Sequence, residues 1–278
     1  MKETNLKRMI ARNLVQGVKP PREMVGLLPA AGLASRIAPL PCSKEVYPIG
    51  FYSLTNGKSL RPKAACVYLL EKMRLAGISK AYIVLRSGKW DIPAYLGNGA
   101  MLSMDLGYLI TNSSLGPPYT LDQAFPFIKN ANVAFGFPDI VFTTADPYRK
   151  LIERQLMTGA DVVLGLFPAP EPRNVDMVAV GKNGRVRSLK IKPRRSRSLY
   201  TWLVAVWSPS FSLFMHNHLV GAMGHHNREG SLPEFSVGHV YQAALDAGLY
   251  FESVLFEENS WVDIGTPENL INAVRRCS

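Results

Sequence analysis

The chain has 278 residues, 47% hydrophobic and 19% charged, enough for a sizeable core in one large domain or two small ones. Its 32 basic residues outnumber 21 acidic ones, and the net charge of +11 favours anionic partners without choosing among nucleotides, nucleic acid and acidic surfaces. No run of about 18 apolar residues and no signal-peptide core is present, and Cys42, Cys66 and Cys277 lack metal or redox spacing, so the expected setting is cytoplasmic, with no membrane partner.

Residues 1–23 read as a basic N-terminal extension, in which Leu6, Met9, Ile10 and Leu14 suit a short amphipathic helix stopped by Pro20 and Pro21. One domain is expected over 24–278. It opens with a buried strand, Val25 to Leu28, that breaks into the small residues Ala30, Ala31, Gly32, Ala34 and Ser35, followed by Arg36 and Lys44. A strand ending in small side chains lets backbone N–H groups approach an anion. A helix is expected next, capped near Ser59, with Pro62 in its first turn and Gly77 at its end. Strands follow at 81–86, 106–111 and 132–137, with a helix over 120–128. The alternation of strand, helix and strand predicts a parallel α/β sheet with right-handed crossovers.

A helix at 146–159 and a strand at 161–167 continue the rhythm, which then turns β-rich. Residues 177–181 and 185–192 form a hairpin about Asn183-Gly184, and 200–207 is a further strand. Residues 208–230 are read as helical, then loose. A helix at 234–247, a strand at 249–256 and a helix at 267–276 close the chain. The stretch 221–232, bearing Gly221, Gly224 and Gly230, is read as a lid or an oligomer contact. The histidines at 216, 218, 225, 226 and 239 lack the spacing of a metal site and are read as structural.

Ligands of open parallel sheets collect at the carboxyl ends of strands. Three charged features fall there: the loop with Arg36 and Lys44, Asp139 after strand 132–137, and Asp263 after strand 249–256. Either aspartate alone reads as readily as a turn or a helix cap. Together they suit a hard divalent cation such as Mg2+ held against phosphate oxygens.

The sequence between Gly26 and Ile49, GLLPAAGLASRIAPLPCSKEVYPI, resembles the signature of the sugar-1-phosphate nucleotidyltransferases, roughly G-G-x-G-T-R-L-x-P followed by P-K and a later proline. Arg36, Pro39, Lys44 and Pro48 match it, and the opening PAAGL is closer to the glucose-1-phosphate uridylyltransferase variant. Further along, Tyr95 to Gly99 is similar to Y-x-G-D-G, and Thr120 to Ala124 to G-L-A-x-A. Phe137 to Ile140 stands in place of the family's G-D motif, and Lys190 to Pro193 is similar to E-K-P. Trp261 to Pro267 fits W-x-D-x-G-T-P closely. The resemblance covers nearly all of the chain after residue 24, and its motifs come in the family's order.

What the resemblance implies is a Rossmann-like, doubly wound, mixed but mostly parallel sheet in a single nucleotidyltransferase domain. The implied reaction converts an NTP, with UTP or dTTP favoured, and a sugar 1-phosphate into an NDP-sugar and pyrophosphate. Such a site must neutralise two anions and hold them in line. By resemblance Arg36 takes the β- and γ-phosphates, Lys44 bridges the α-phosphate and the sugar phosphate, and Lys192 holds the sugar phosphate. Asp139 and Asp263 bind magnesium. The base lies over Ala30, Ala31 and Gly32, with contacts from Leu115 and Thr120. The chain departs from the pattern at Ala34 and Ser35 in the loop, at Ser43 before Lys44, and at Thr120. At Ile191 it lacks the glutamate that bonds sugar hydroxyls. Asp176 and Trp202 flank that pocket as replacement sugar contacts.

Two other readings stay open. One is a nucleotide-binding regulator of the same fold, weak or inactive as a catalyst; the other is a transferase acting on a non-sugar phosphate. The basic run Lys190 to Arg197 raises nucleic-acid binding, but no aromatic platform or groove-reading helix accompanies it, so no nucleic-acid partner is expected. Homo-oligomerisation is left open.

Overall fold

The computed structural model describes residues 23–53, 60–112, 115–169, 171–226, 235–256 and 260–277. The amphipathic helix read within residues 1–23, the cap at Ser59 and residues 227–232 of the stretch read as a lid or an oligomer contact lie outside the described residues.

Thirteen strands occur among them: β1 (Met24–Ala30), β2 (Pro48–Ser53), β3 (Leu60–Ala64), β4 (Lys80–Arg86), β5 (Asp105–Thr111), β6 (Asn132–Gly136), β7 (Ile140–Phe142), β8 (Val162–Pro168), β9 (Met177–Val180), β10 (Val186–Lys190), β11 (Tyr200–Trp207), β12 (Phe251–Leu255) and β13 (Trp261–Asp263). The helices are α1 (Ala65–Leu75), α2 (Asp91–Leu96), α3 (Pro117–Asp122), α4 (Phe125–Ile128), α5 (Pro147–Thr158), α6 (Pro209–His226), α7 (Val237–Asp246) and α8 (Pro267–Cys277). None of the described helices is long and apolar enough to cross a membrane.

Nine strands form the central sheet. β5, β4, β1 and β6 lie side by side and parallel, the Rossmann-like half. β11 runs antiparallel to β6 and β8, and β12 extends β8 in parallel. β9 pairs with the start of β11, and β10 with β9, both antiparallel. Only β10 and β11 therefore run against the other strands, so the sheet is mixed and mostly parallel.

Alternation along each strand sends side chains to two cores. From β1, Val25 and Leu27 join the face covered by α3, α4, α6 and α7, while Leu28 and Ala30 join the face covered by α1, α2 and α5. In β6, Val133 and Phe135 take the first face and Ala134 the second. Strands buried on both faces read as near-continuous apolar runs, which is why they stood out in the sequence. A third, smaller cluster joins Ile49, Val141, Val262, Ile264 and Ala273 under α8.

Three sequence expectations need correction. Pro62 does not open a helix: it pairs with Phe51 in the β2–β3 hairpin, and the helix begins at Ala65. A two-stranded sheet is all edge, where a missing N–H is tolerated. The helix expected over 120–128 is two short ones, with Pro126 near the start of the second, where proline belongs. Asp263 does not simply trail the strand at 251–255. It ends β13, a separate three-residue strand paired with β7.

Candidate active site

One cavity of about 1290 Å³ opens at the carboxyl ends of β1, β4 and β6. Arg36, Lys44, Lys192, Ala31, Gly32, Leu115, Thr120, Asp176, Trp202, Asp139 and Asp263 all line it. Ala30 does not; it is the last residue of β1 and 1% exposed, so the loop surface starts at Ala31.

In the loop after β1, Ala34 takes a left-handed φ of 55°, and its carbonyl accepts the N–H groups of Ile37 and Ala38. Glycine adopts that conformation without steric cost, so the alanine here departs from the family signature at a demanding position. A Cβ placed on Gly32 would meet nothing within 4 Å. The fold itself thus leaves room for a side chain at Gly32, on the cavity side.

Lys44 is set by its neighbours. It opens a single 3-10 turn, Lys44–Val46. Just before it, the Ser43 N–H donates to Asp91 Oδ2 at 2.6 Å and the Ser43 hydroxyl to Asp91 Oδ1 at 2.8 Å. Just after it, Glu45, 2% exposed, accepts from Lys89 Nζ on both oxygens at 2.8 Å. Burial raises the Glu45 pKa, and Lys89 opposes the rise. Lys89 and Asp91 follow β4, so the strand-end rule pointed to this segment, which the sequence reading passed over.

Held in this way, the Lys44 ammonium donates to Asp139 Oδ2. Burial pulls the Lys44 pKa down, but Asp139, Glu45 and Asp263 more than offset it, and the net shift is upward. The two aspartates meet through the β7–β13 clasp. Val141 and Val262 pair and enter the third cluster, Asp263 pairs with Ile140, and the Ile264 N–H donates to the Asp139 carbonyl at 3.0 Å. Alternation then turns Asp263 toward the cavity. Its Oδ1 accepts the Gly265 N–H at 2.8 Å. Burial raises the Asp263 pKa, the Asp139 charge raises it further, and Lys44 and Arg36 oppose.

A half-buried carboxylate pair, only partly neutralised by Lys44, is a hard-oxygen donor set that fits a divalent cation completing its shell with phosphate oxygens and water. Among the described residues no group of three or more His, Cys, Asp or Glu side chains forms a metal cluster.

At the far end, Asp176 is 9% and Trp202 6% exposed. The register of β11 against β8 shifts between Trp202 and Val204, a bulge that places Trp202 in the first core with Ala205 and Trp207. Lys192 sits at φ 39°. Of the basic run from Lys190 to Arg197 it alone lines the cavity. Burial raises the Asp176 pKa; Lys192, His239 and Trp202 oppose.

Other residues also line the cavity, of which Arg86, Glu171, Ser236 and Arg276 escaped the sequence reading. Gly116, at φ 115°, opens α3, and a Cβ there would lie 2.6 Å from the Phe235 carbonyl. Phe137 borders the cavity too. The histidines with described side chains are structural. His216 bonds Asp122 and stacks on Phe125, and His239 completes the capping box of α7.

Comparison with known proteins agrees with this geometry. The chain belongs to the nucleotidyl transferase family, whose sequence signature matches residues 26–278, and it is an enzyme of that class. It is similar to glucose-1-phosphate thymidylyltransferases of Mycolicibacterium smegmatis and Neisseria gonorrhoeae, each 24% identical over 259 residues, spanning 90% of this chain and 81% of the relative. Its fold is shared by a Bacillus anthracis protein described as a glucose-1-phosphate thymidylyltransferase, solved with sucrose, at a TM-score of 0.74 and 16% identity over 91% of this chain and 95% of that one. The T. maritima inositol-1-phosphate CTP transferase shares it at 0.66 and 16%, over 91% and 97%.

Proposed function

We propose that the enzyme transfers a nucleoside monophosphate from an NTP, UTP or dTTP before others, to a sugar 1-phosphate, releasing pyrophosphate and forming an NDP-sugar. The observation that carries this reading is the convergence of Arg36, Lys44, Asp139 and Asp263 on one cavity beside the open backbone at Gly32. A module that only binds nucleotide need not keep both half-buried carboxylates beside two cations.

Ala31 and Gly32 would take the base and ribose against the loop, with Leu115 and Thr120 on the facing wall. Arg36 would bind the β- and γ-phosphates and stabilise charge on the departing pyrophosphate. Lys44 would lie between the α-phosphate and the acceptor phosphate, lowering repulsion between attacker and target. Lys192 would orient the acceptor phosphate, whose oxygen bonds to the α-phosphorus as the bond to the bridging oxygen breaks. That oxygen is already anionic, so no general base is required. Asp139 and Asp263 would hold Mg2+, which when bound supplies positive charge to the phosphate oxygens. The thymidylyltransferase relatives support dTTP and glucose 1-phosphate as the first pair to assay. The CTP transferase of shared fold supports including CTP and a cyclitol phosphate.

Pyrophosphate release is measured with each NTP, Mg2+ and a panel of phosphorylated acceptors. Turnover with at least one pair, lowered about 100-fold or more by Asp263→Asn in a folded variant, is the expected result. NTP binding with no release from any pair would overturn the reading.

A further inference from the structure

The sheet order lays the cavity out from one side to the other. Asp176, Lys192 and Trp202 lie in or next to β9, β10 and β11, beyond β6. Asp139 and Asp263 meet at the β7–β13 clasp, just past the end of β6. Lys44 bonds Asp139, and Arg36 leans the same way, since a Cβ on Gly265 would lie 3.0 Å from its Nη2. On the opposite side of β1 comes β4, whose last residue is Arg86. Ala30 pairs with Leu85, so Arg86 stands level with Ala31, where the loop after β1 begins. Arg86 lines the cavity two strands away from β6, a lateral step of roughly 10 Å. Leu115, Gly116 and Thr120, which follow β5, close the same end.

The other cations of the cavity have company. Lys44 bonds Asp139, Lys192 faces the Asp176 charge, and Arg276 donates to the Trp261 carbonyl at 3.5 Å. The half-buried Arg86 side chain has no hydrogen bond or ion pair among the described residues. A guanidinium partly withdrawn from water, with no protein acceptor, points to an acceptor brought by a ligand. We propose that Arg86 is a specificity-determining residue, whose guanidinium donates to a ring carbonyl of the bound base and so sets adenine apart from the bases that carry one. This rests on the nucleotidyl-transfer reading above.

Charge orients the nucleotide. The triphosphate belongs with the carboxylate pair and its cations on the β6 side, which leaves the base to lie toward β4. A guanidinium offers five donors in a fixed fork and no acceptor. Uracil, thymine, cytosine and guanine each present a ring carbonyl. Adenine presents none, and its N1 and N7 acceptors flank an amino group whose N–H would face those of Arg86. An arginine that gripped phosphate instead would strengthen every NTP alike.

The test titrates the intact chain calorimetrically with dTTP, UTP, CTP, GTP and ATP in Mg2+, and with inorganic tripolyphosphate as a phosphate-only probe. Pyrophosphate release is assayed in parallel with the acceptor panel above. At least one NTP with a carbonyl-bearing base should bind about 10-fold or more tighter than ATP. Arg86→Met keeps the length of the side chain and removes its donors. It should weaken that NTP by about 10-fold and leave ATP and tripolyphosphate nearly unchanged. Arg86→Lys keeps the charge but loses the fork, and should fall in between. General damage to the fold does not produce a loss confined to some NTPs. Should Arg86→Met fail to fold, the ratio in Arg86→Lys decides.

The assignment is overturned if ATP binds as tightly as the other NTPs, or if the ratio to ATP survives the substitution. It is overturned too if tripolyphosphate weakens as much as the NTPs, which would put Arg86 on the phosphates. Selective binding that the substitution abolishes, without pyrophosphate release from any pair, upholds Arg86 and sinks the transferase reading. Release with a ratio indifferent to Arg86 does the reverse. No NTP binding removes both.

Discussion

At the scale of single residues, the site separates what the fold needs from what a ligand needs. A methyl at Gly32 meets no protein atom within 4 Å. Gly32→Ala should therefore leave the Tm unchanged and weaken NTP binding by ~10–100-fold, the equivalent of an overpacking cost of 1–3 kcal/mol at a close contact. Calorimetric melting and NTP titration check the two halves. Asp176 shows the opposite balance, a residue that costs the free protein stability. Its pKa is raised from the ordinary 3.8, first by burial, against the opposing effects of Lys192, His239 and Trp202. A carboxyl with a raised folded pKa binds its proton more tightly when folded. Its contribution is thus fully present below about 3.8 and is lost as pH rises through the folded value. Asp176→Asn should melt about 2 °C above the unsubstituted protein at pH 7, with the gap closing as pH falls toward 4. Equal melting points at pH 7 would count against the buried charge. Gly32, Asp176 and Trp202 were legible as candidate site residues, but the burial of the Asp176 carboxylate was not, and the bulge beside Trp202 leaves no periodic trace in sequence.

At the scale of elements, the side chains proposed as catalytic are placed by short pieces of backbone that pattern reading resolves least well. The loop after β1 was legible because a buried strand running into small residues is a local signal. The β7–β13 clasp was not, because three residues are too few for alternation to show and its partners lie far apart in the chain. The 3-10 turn at Lys44–Val46 is a similar case, pinned by residues following β4. Lys89→Met should expose that dependence. It leaves Glu45 buried without a partner, a loss of ~3–5 kcal/mol, and releases the turn that carries Lys44, so activity falls as well. In a double-mutant cycle, Glu45→Gln combined with Lys89→Met should recover much of the stability. Simple additivity of the two losses would show that the pair does not act as a unit.

For the whole molecule, a mixed, mostly parallel sheet was readable because strands buried on both sides announce themselves as apolar runs, but the order of the strands was not. Long-range facts were not, such as which strand ends share a cavity, until matched motifs supplied the order. The net charge of +11 acts at this scale. NTP association should slow several-fold between 50 and 500 mM salt, as screening shortens the reach of the positive field, while dissociation changes less; stopped-flow binding measures both. The clasp also has a consequence in time. Synthesis proceeds from the N-terminus, and early segments begin to fold before later ones exist. The loop at 31–44 and Asp139 leave the ribosome well before β13, so on the proposed mechanism a growing chain would own the loop that grips phosphate but only one of the two carboxylates. Chemistry at that site would wait until Trp261–Asp263 zips onto Ile140–Phe142, a pairing that closes only after the central sheet has been synthesised.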